Sequence, residues 1–273
     1  MLKLELARLY QNNAEFDDAL KYYNEVLVGD KTNPVALYNV AVIKTQMGKY
    51  TDANLIYNAL LKVDEEVLAN NEIAISDIQK DLYENQIKFG QSLIESGEAK
   101  KAKSVFNKLL DNNQEDYRIY LGLADSSFAL GMNTYAKNYY EQALTLDGSN
   151  LDIVARYAQV LYELKDYETA LALLDKITDE NPNDDKAYYN KGLINFQLKE
   201  YETAVKDIFK AIEIDPTKAD SYYLLGSVFE AYEKPQDAIY AFEKFIEFST
   251  DETLKEKIKA KTKNLYDGVV KKW

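Results

Sequence analysis

Residues 164–170 read Leu-Lys-Asp-Tyr-Glu-Thr-Ala and residues 198–204 read Leu-Lys-Glu-Tyr-Glu-Thr-Ala, two near copies 34 residues apart. A looser copy, Met-Gly-Lys-Tyr-Thr-Asp-Ala, fills residues 47–53. Each ends on an alanine that is followed four residues later by a large apolar side chain. With that alanine as anchor, the series runs Ala19, Ala53, Ala102, Ala136, Ala170, Ala204 and Ala238. The large partners are Tyr23, Tyr57, Phe106, Tyr140, Leu174, Ile208 and Phe242. Five of the six anchor intervals are 34 residues, and the sixth, from Ala53 to Ala102, is 49. A fixed period of this kind is the signature of a repeat array, and it overrides the expectation of about two globular domains from length alone.

Working outward from each anchor, a small residue lies twelve positions earlier: Ala7, Ala41, Gly90, Ala124, Ala158, Gly192 and Gly226. Leu6, Val40, Phe89, Leu123, Tyr157, Lys191 and Leu225 precede these small residues. Three positions after the small residue stand Tyr10, Leu93, Phe128, Leu161 and Phe229, with Lys44 and Asn195 as departures. Pro182 and Pro216 fall twelve after an anchor. The spacing predicts two amphipathic helices per unit with a short turn between. The small residues let the paired helices approach closely, and the large residue one turn beyond the anchor fills the gap. One such pair cannot bury its apolar face alone, so neighbouring pairs must stack. Only 10 Gly and 4 Pro in 273 residues agree with a helical chain.

This pattern resembles the tetratricopeptide repeat, from about Met1 to Thr250. The resemblance implies an all-α, right-handed α–α superhelix of seven helix-turn-helix repeats, with residues 251–273 as a C-terminal capping helix. Ser249 with Glu252 reads as a capping box that starts this helix. Leu254, Ile258, Leu265, Val269 and Trp273 form its apolar stripe, and Lys255, Lys257, Lys259, Lys261 and Lys263 its outer face. The fifteen extra residues lie near 68–82: Asn70-Asn71 reads as a break, Ser76 with Gln79 as a new helix start, and Ile75, Ile78 and Leu82 lead into the next repeat. This insert either decorates the array or adds to a binding face. At the other end the first repeat begins almost at its second position, with no polar cap before it. Either an upstream export signal or anchor has been removed, or the protein starts here. The compartment stays open accordingly: cytoplasmic, or periplasmic or membrane-anchored.

The chain has no Cys and no His, which removes disulfides, thiol nucleophiles, Cys/His zinc sites and His-based acid–base catalysis. A net charge of −13 repels phosphate backbones, so nucleic acid is not an expected partner. No apolar run approaches the ~20 residues of a membrane span. Neither of the glycine-rich phosphate-binding motifs occurs, and residues 179–190 lack the Gly and terminal Glu of a calcium loop. The expectation is a protein that is not an enzyme and needs no cofactor and no metal.

The family resemblance implies that the first helices of successive repeats line a concave groove through their second, fifth, ninth and twelfth positions. Those positions include Arg118, Asp152, Tyr162, Lys186, Tyr189, Leu193, Phe196, Asp220 and Tyr223. The aromatic members are the expected anchors for a partner, although Tyr189 and Tyr223 equally suit packing between helices. The Lys–Asn pairing with which some family members clamp a partner's C-terminal carboxylate is not matched in any repeat. The groove acids, on an acidic chain, favour a protein or peptide partner with basic and apolar side chains. The leading expectation is therefore a scaffold or adaptor that seats a partner segment in its groove. Two alternatives stand beside it: an exported or anchored helper in envelope or secretion assembly, and a small-molecule or lipid carrier that uses the aromatic groove.

Overall fold

Short turns of the Leu-Lys-Glu-Tyr kind do close helix pairs, and the backbone shows how. Ala14, Gly48, Gly97, Gly131, Lys165, Lys199 and Glu233 all have positive φ, between 57° and 78°. They recur at the same intervals as the anchor alanines. At each, the next residue's N–H reaches back to a carbonyl five residues earlier, as from Glu200 to Asn195 at 2.9 Å and from Lys49 to Lys44 at 2.8 Å. This is a helix C-terminus closed by a left-handed residue, which satisfies carbonyls that the helix leaves open.

The computed structural model describes residues 2–270, of which about 80% are helical, in sixteen helices with no strand among the described residues. They group into two compact units, Met1–Gly148 and Ser149–Trp273. The first holds α1 (Leu2–Asn12), α2 (Phe16–Gly29), α3 (Pro34–Gln46), α4 (Tyr50–Leu60), α5 (Glu65–Ala69), α6 (Ile75–Glu95), α7 (Ala99–Leu110), α8 (Tyr117–Ala129) and α9 (Asn133–Leu146). The second holds α10 (Leu151–Glu163), α11 (Tyr167–Glu180), α12 (Asp185–Gln197), α13 (Tyr201–Ile214), α14 (Ala219–Ala231), α15 (Pro235–Phe248) and α16 (Glu252–Val270). Within each unit consecutive helices pack as pairs, and each pair packs on the next.

All seven anchor alanines are fully buried, and their large partners are at most 1% exposed. The close approach is literal at Gly90, Gly192 and Gly226, where a Cβ would meet Phe106, Ile208 and Phe242 at 2.5–2.6 Å. The two departures from the apolar pattern are paired with acids on the second helix of their own repeat. Lys44 bridges Asp52 at 2.6 Å, and the Asn195 amide donates to buried Asp207 at 2.8 Å. A polar group can stay half-inside when it is matched in this way.

In the first unit the insert becomes the short α5 and an extension of α6 to 21 residues. The break at Asn70-Asn71 is present, but α6 starts at Ile75 without a side-chain cap, so Ser76 and Gln79 do not form the expected start. The extension is held by Ile78, which is fully buried. Asn85 adds to this hold, donating to Asn54 at 2.8 Å and to the Tyr50 carbonyl at 3.0 Å, and accepting from Thr45 at 2.8 Å.

In the second unit α16 covers the last pair. Ile258 is buried in a core with Phe242, Phe245, Leu225 and Val228, and Leu254 and Leu265 pack against it. Trp273 lies outside the described residues. The helix starts one residue after Asp251, whose carboxylate accepts the Leu254 N–H at 2.9 Å, so Asp251 is the cap in place of Ser249. Ser249 Oγ instead accepts the Asp251 N–H at 3.2 Å. The five lysines do not share an outer face, because alternate positions on a helix point to different sides. Lys261 turns inward, over the Phe242 ring at 5.0 Å and against Glu230 at 2.5 Å.

Candidate functional site

Helices α10, α12 and α14 are the first members of the three pairs in the second unit. Asn150 and Asp184 start two of them by accepting the N–H groups of Ile153 and Ala187, which fixes where the following side chains project. The face they make carries three adjoining hollows. The largest, ~510 Å³, is lined by Ala155, Arg156, Gln159, Tyr162, Glu163, Lys186, Asn190 and Leu193, with Ala158, Leu174 and Ile194 at its floor. A second, ~320 Å³, continues past Asp152, Ala155, Asn181 and Asp184. A third, ~230 Å³, lies between α12 and α14 and is lined by Asp185, Tyr189, Lys218, Asp220 and Ser221. Lys186 and Asn190, one helical turn apart, line all three.

Seven of the nine residues expected from the groove positions stand on or beside this face. Tyr162, Lys186 and Leu193 line the largest hollow, Asp152 the second, and Tyr189 and Asp220 the third. Tyr223 is 36% exposed, and its ring packs on Phe245 at 5.4 Å and Phe242 at 6.3 Å. Phe196 lines none of the three and rests on Tyr201 at 6.3 Å. Arg118 belongs to the first unit. There its guanidinium makes two hydrogen bonds of 2.8 Å to Glu84 and further ones to Asp116, beside the Tyr83 ring. These bonds raise its already high pKa. Arg118 braces α6 to α8.

Charges on the face are partly spent locally. Asp152 pairs with Arg156 at 2.9 Å, an exposed i,i+4 pair of small worth. Burial raises the Tyr189 phenol above its ordinary range, followed by the nearby Asp220, Tyr162 and Tyr223. Burial likewise raises Tyr162, with Tyr167 adding to the effect. Both therefore stay neutral hydrogen-bonding phenols at any physiological pH. Asn190, one residue past the fifth position of its repeat, matches from spacing only a single position of the carboxylate clamp, and the only signal for Glu163 is its adjacency to a groove position. Among the described residues no group of three or more potential metal ligands occurs, and no helix is long and apolar enough to cross a membrane.

Paired helices at a constant repeat, closed by left-handed turns and stacked by small–large contacts, define an α-helical repeat protein. Residues 87–150, 127–191 and 185–218 each match the tetratricopeptide repeat. The chain is a tetratricopeptide-repeat protein, a fold whose general use is protein–protein interaction. Among curated proteins it resembles "Uncharacterized protein ycf37" of Pyropia yezoensis, 33% identical over 106 residues. That match covers 39% of this chain and spans 59% of the relative, less than two thirds of its length. Among solved structures, YrrB, described as a TPR protein with an unusual peptide-binding site, aligns with a TM-score of 0.55 and 24% identity over 64% of this chain and 91% of that one. MamA from Desulfovibrio magneticus RS-1, residues 41 to the end, aligns with a TM-score of 0.58 and 23% identity over 63% and 96%. A tetratricopeptide repeat protein from Parabacteroides merdae aligns over 95% of this chain and 97% of its own, with a TM-score of 0.58 and 17% identity. These likenesses establish the fold.

Proposed function

We propose that the second unit is a non-catalytic docking module that seats a segment of a partner polypeptide along α10, α12 and α14. The observation that carries this reading is the run of three adjoining hollows that share Lys186 and Asn190. A run of hollows across three helices suits a chain-like ligand better than one compact small molecule, for which a single enclosing cavity is the usual arrangement. Their walls mix half-buried rings with charged and amide groups, the make-up of an interface with apolar anchors and a polar rim. The peptide-binding site for which YrrB is described, on the same fold, supports the same reading. The carboxylates Asp152, Glu163, Asp184, Asp185 and Asp220 on this face outnumber Arg156, Lys186 and Lys218 and favour a segment with basic as well as apolar side chains.

A photo-crosslinking amino acid at Gln159, with a control at exposed Leu55 of the first unit, tests this proposal in cells of the source organism. A polypeptide captured from Gln159 and not from Leu55, and lost when Tyr162→Ala is added to a protein that still folds, is the expected result. Equal capture at both positions, or capture indifferent to Tyr162→Ala, overturns it.

A further inference from the structure

Three tyrosines, one from each first helix of the second unit, form a row: Tyr162 on α10, Tyr189 on α12 and Tyr223 on α14. Their phenols lie close enough for those of Tyr162 and Tyr223 to act on that of Tyr189. Each ring is held from behind. Tyr162 rests on Tyr167 at 5.8 Å, Tyr189 packs against the core of the last pair, and Tyr223 leans on Phe242 and Phe245. Rings fixed in this way bind with little loss of side-chain freedom. In front of them the carboxamides of Gln159 and Asn190 line the largest hollow with Tyr162 and Leu193. Neither carboxamide takes part in a side-chain hydrogen bond among the described residues.

We infer that the segment seated on this face is proline-rich, in the polyproline II conformation, and flanked by Arg or Lys. This names the partner class for the docking face proposed above and rests on that reading. Three observations favour it over a helical or a β-strand ligand. A polyproline II chain has no internal hydrogen bonds, so its carbonyls need donors. Gln159 Nε2, Asn190 Nδ2 and Lys186 Nζ offer them, whereas a bound helix has already satisfied its own carbonyls. The rings, moreover, come one from each of α10, α12 and α14, and their phenols are close enough to act on one another. One turn of polyproline II, three residues at ~3.1 Å each, advances about 9 Å, a step that lets pyrrolidine rings meet successive tyrosines. Lastly, a β-strand ligand needs a sheet edge to extend, and the described residues contain no strand. Across the three hollows the carboxylates Asp152, Glu163, Asp184, Asp185 and Asp220 outnumber the cations Arg156, Lys186 and Lys218, which favours positive flanking charges.

The test is fluorescence anisotropy with the full 273-residue chain and two labelled peptides. One is an oligoproline of about ten residues flanked by arginines, and the other an alanine-rich helix former of the same length with the same arginines. The oligoproline peptide is expected to bind about tenfold more tightly, and Tyr189→Ala and Gln159→Ala are each expected to weaken it by about tenfold. Gln159 is exposed, so its variant keeps the test valid should Tyr189→Ala disturb folding. If the helical peptide binds more tightly and the same variants weaken it, the polyproline assignment fails while the docking face stands. An oligoproline peptide that does not saturate, or that is indifferent to both variants, also overturns the assignment. Crosslinking at Gln159 then decides the docking face separately.

Discussion

The ring of Phe242 lies 2.6 Å from the point that a Cβ on Gly226 would occupy. Phe242 stands four residues after its anchor alanine and Gly226 twelve before it, so the contact is the repeat motif seen in three dimensions. Both residues are buried, and Phe242 is wholly inaccessible. Gly226→Ala should gain about 1 kcal/mol in helix propensity but force a shift in a closed seam that costs about 1–3 kcal/mol. The net expectation is a loss of stability, read as a lower urea midpoint. An unchanged or higher midpoint would show that the seam can give way.

The left-handed turn residues lead to a change of opposite sign. Lys199 has φ of 64° at the turn between α12 and α13, where a side chain is strained by about 1 kcal/mol and Gly is not. Three sister turns already carry Gly there, at Gly48, Gly97 and Gly131. Lys199→Gly should therefore raise the urea midpoint by an amount equivalent to about 1 kcal/mol. Thermal or urea unfolding of the single variant checks this, and a destabilised variant refutes it.

Asp207 gives the second unit a pH dependence. Burial raises its carboxyl above the usual range, opposed by Lys191 and by the amide of Asn195. The folded state thus holds the proton more tightly than the unfolded chain does. Stability from this group is greatest below the unfolded pKa and is lost as pH rises through the folded one. Asp207→Asn keeps a group that accepts from Asn195 and removes the buried charge. Its melting temperature relative to the parent should be higher at pH 7 than at pH 4. A relative gain that is the same at both, or larger at pH 4, would show that the Lys191 and Asn195 contacts outweigh burial.

Truncation after Thr250 removes α16 and uncovers the core formed by Phe242, Phe245 and Leu225, against which Ile258, Leu254 and Leu265 pack. The shortened chain should self-associate or lose solubility, since a bare apolar face at the end of a stack of helix pairs has no cover. Sedimentation velocity at several concentrations measures this. A truncated protein that stays monomeric and as stable as the parent would deny α16 its covering role.

What the sequence by itself determined was the repeat and everything bound to its register. Burial of Ala170 and Ala204, the seat of Leu174 and Ile208 against the partner helix, and the position of each turn follow from helical periodicity. Periodicity depends only on which residues are small, apolar or polar. The same logic placed the break at Asn70-Asn71 and the covering helix after Thr250. Tertiary structure decided the rest, because a side chain's role at a given register depends on what faces it from another helix. Arg118 and Lys186 occupy the same position of their repeats. One is locked between Glu84 and Asp116, and the other sits where three hollows meet. Ser249 and Asp251 are equally good caps on paper, and only the path of the chain into α16 selects Asp251. Asn190 lines the hollows only because α10 and α14 flank α12 on either side, a neighbourhood set by packing rather than by any local pattern.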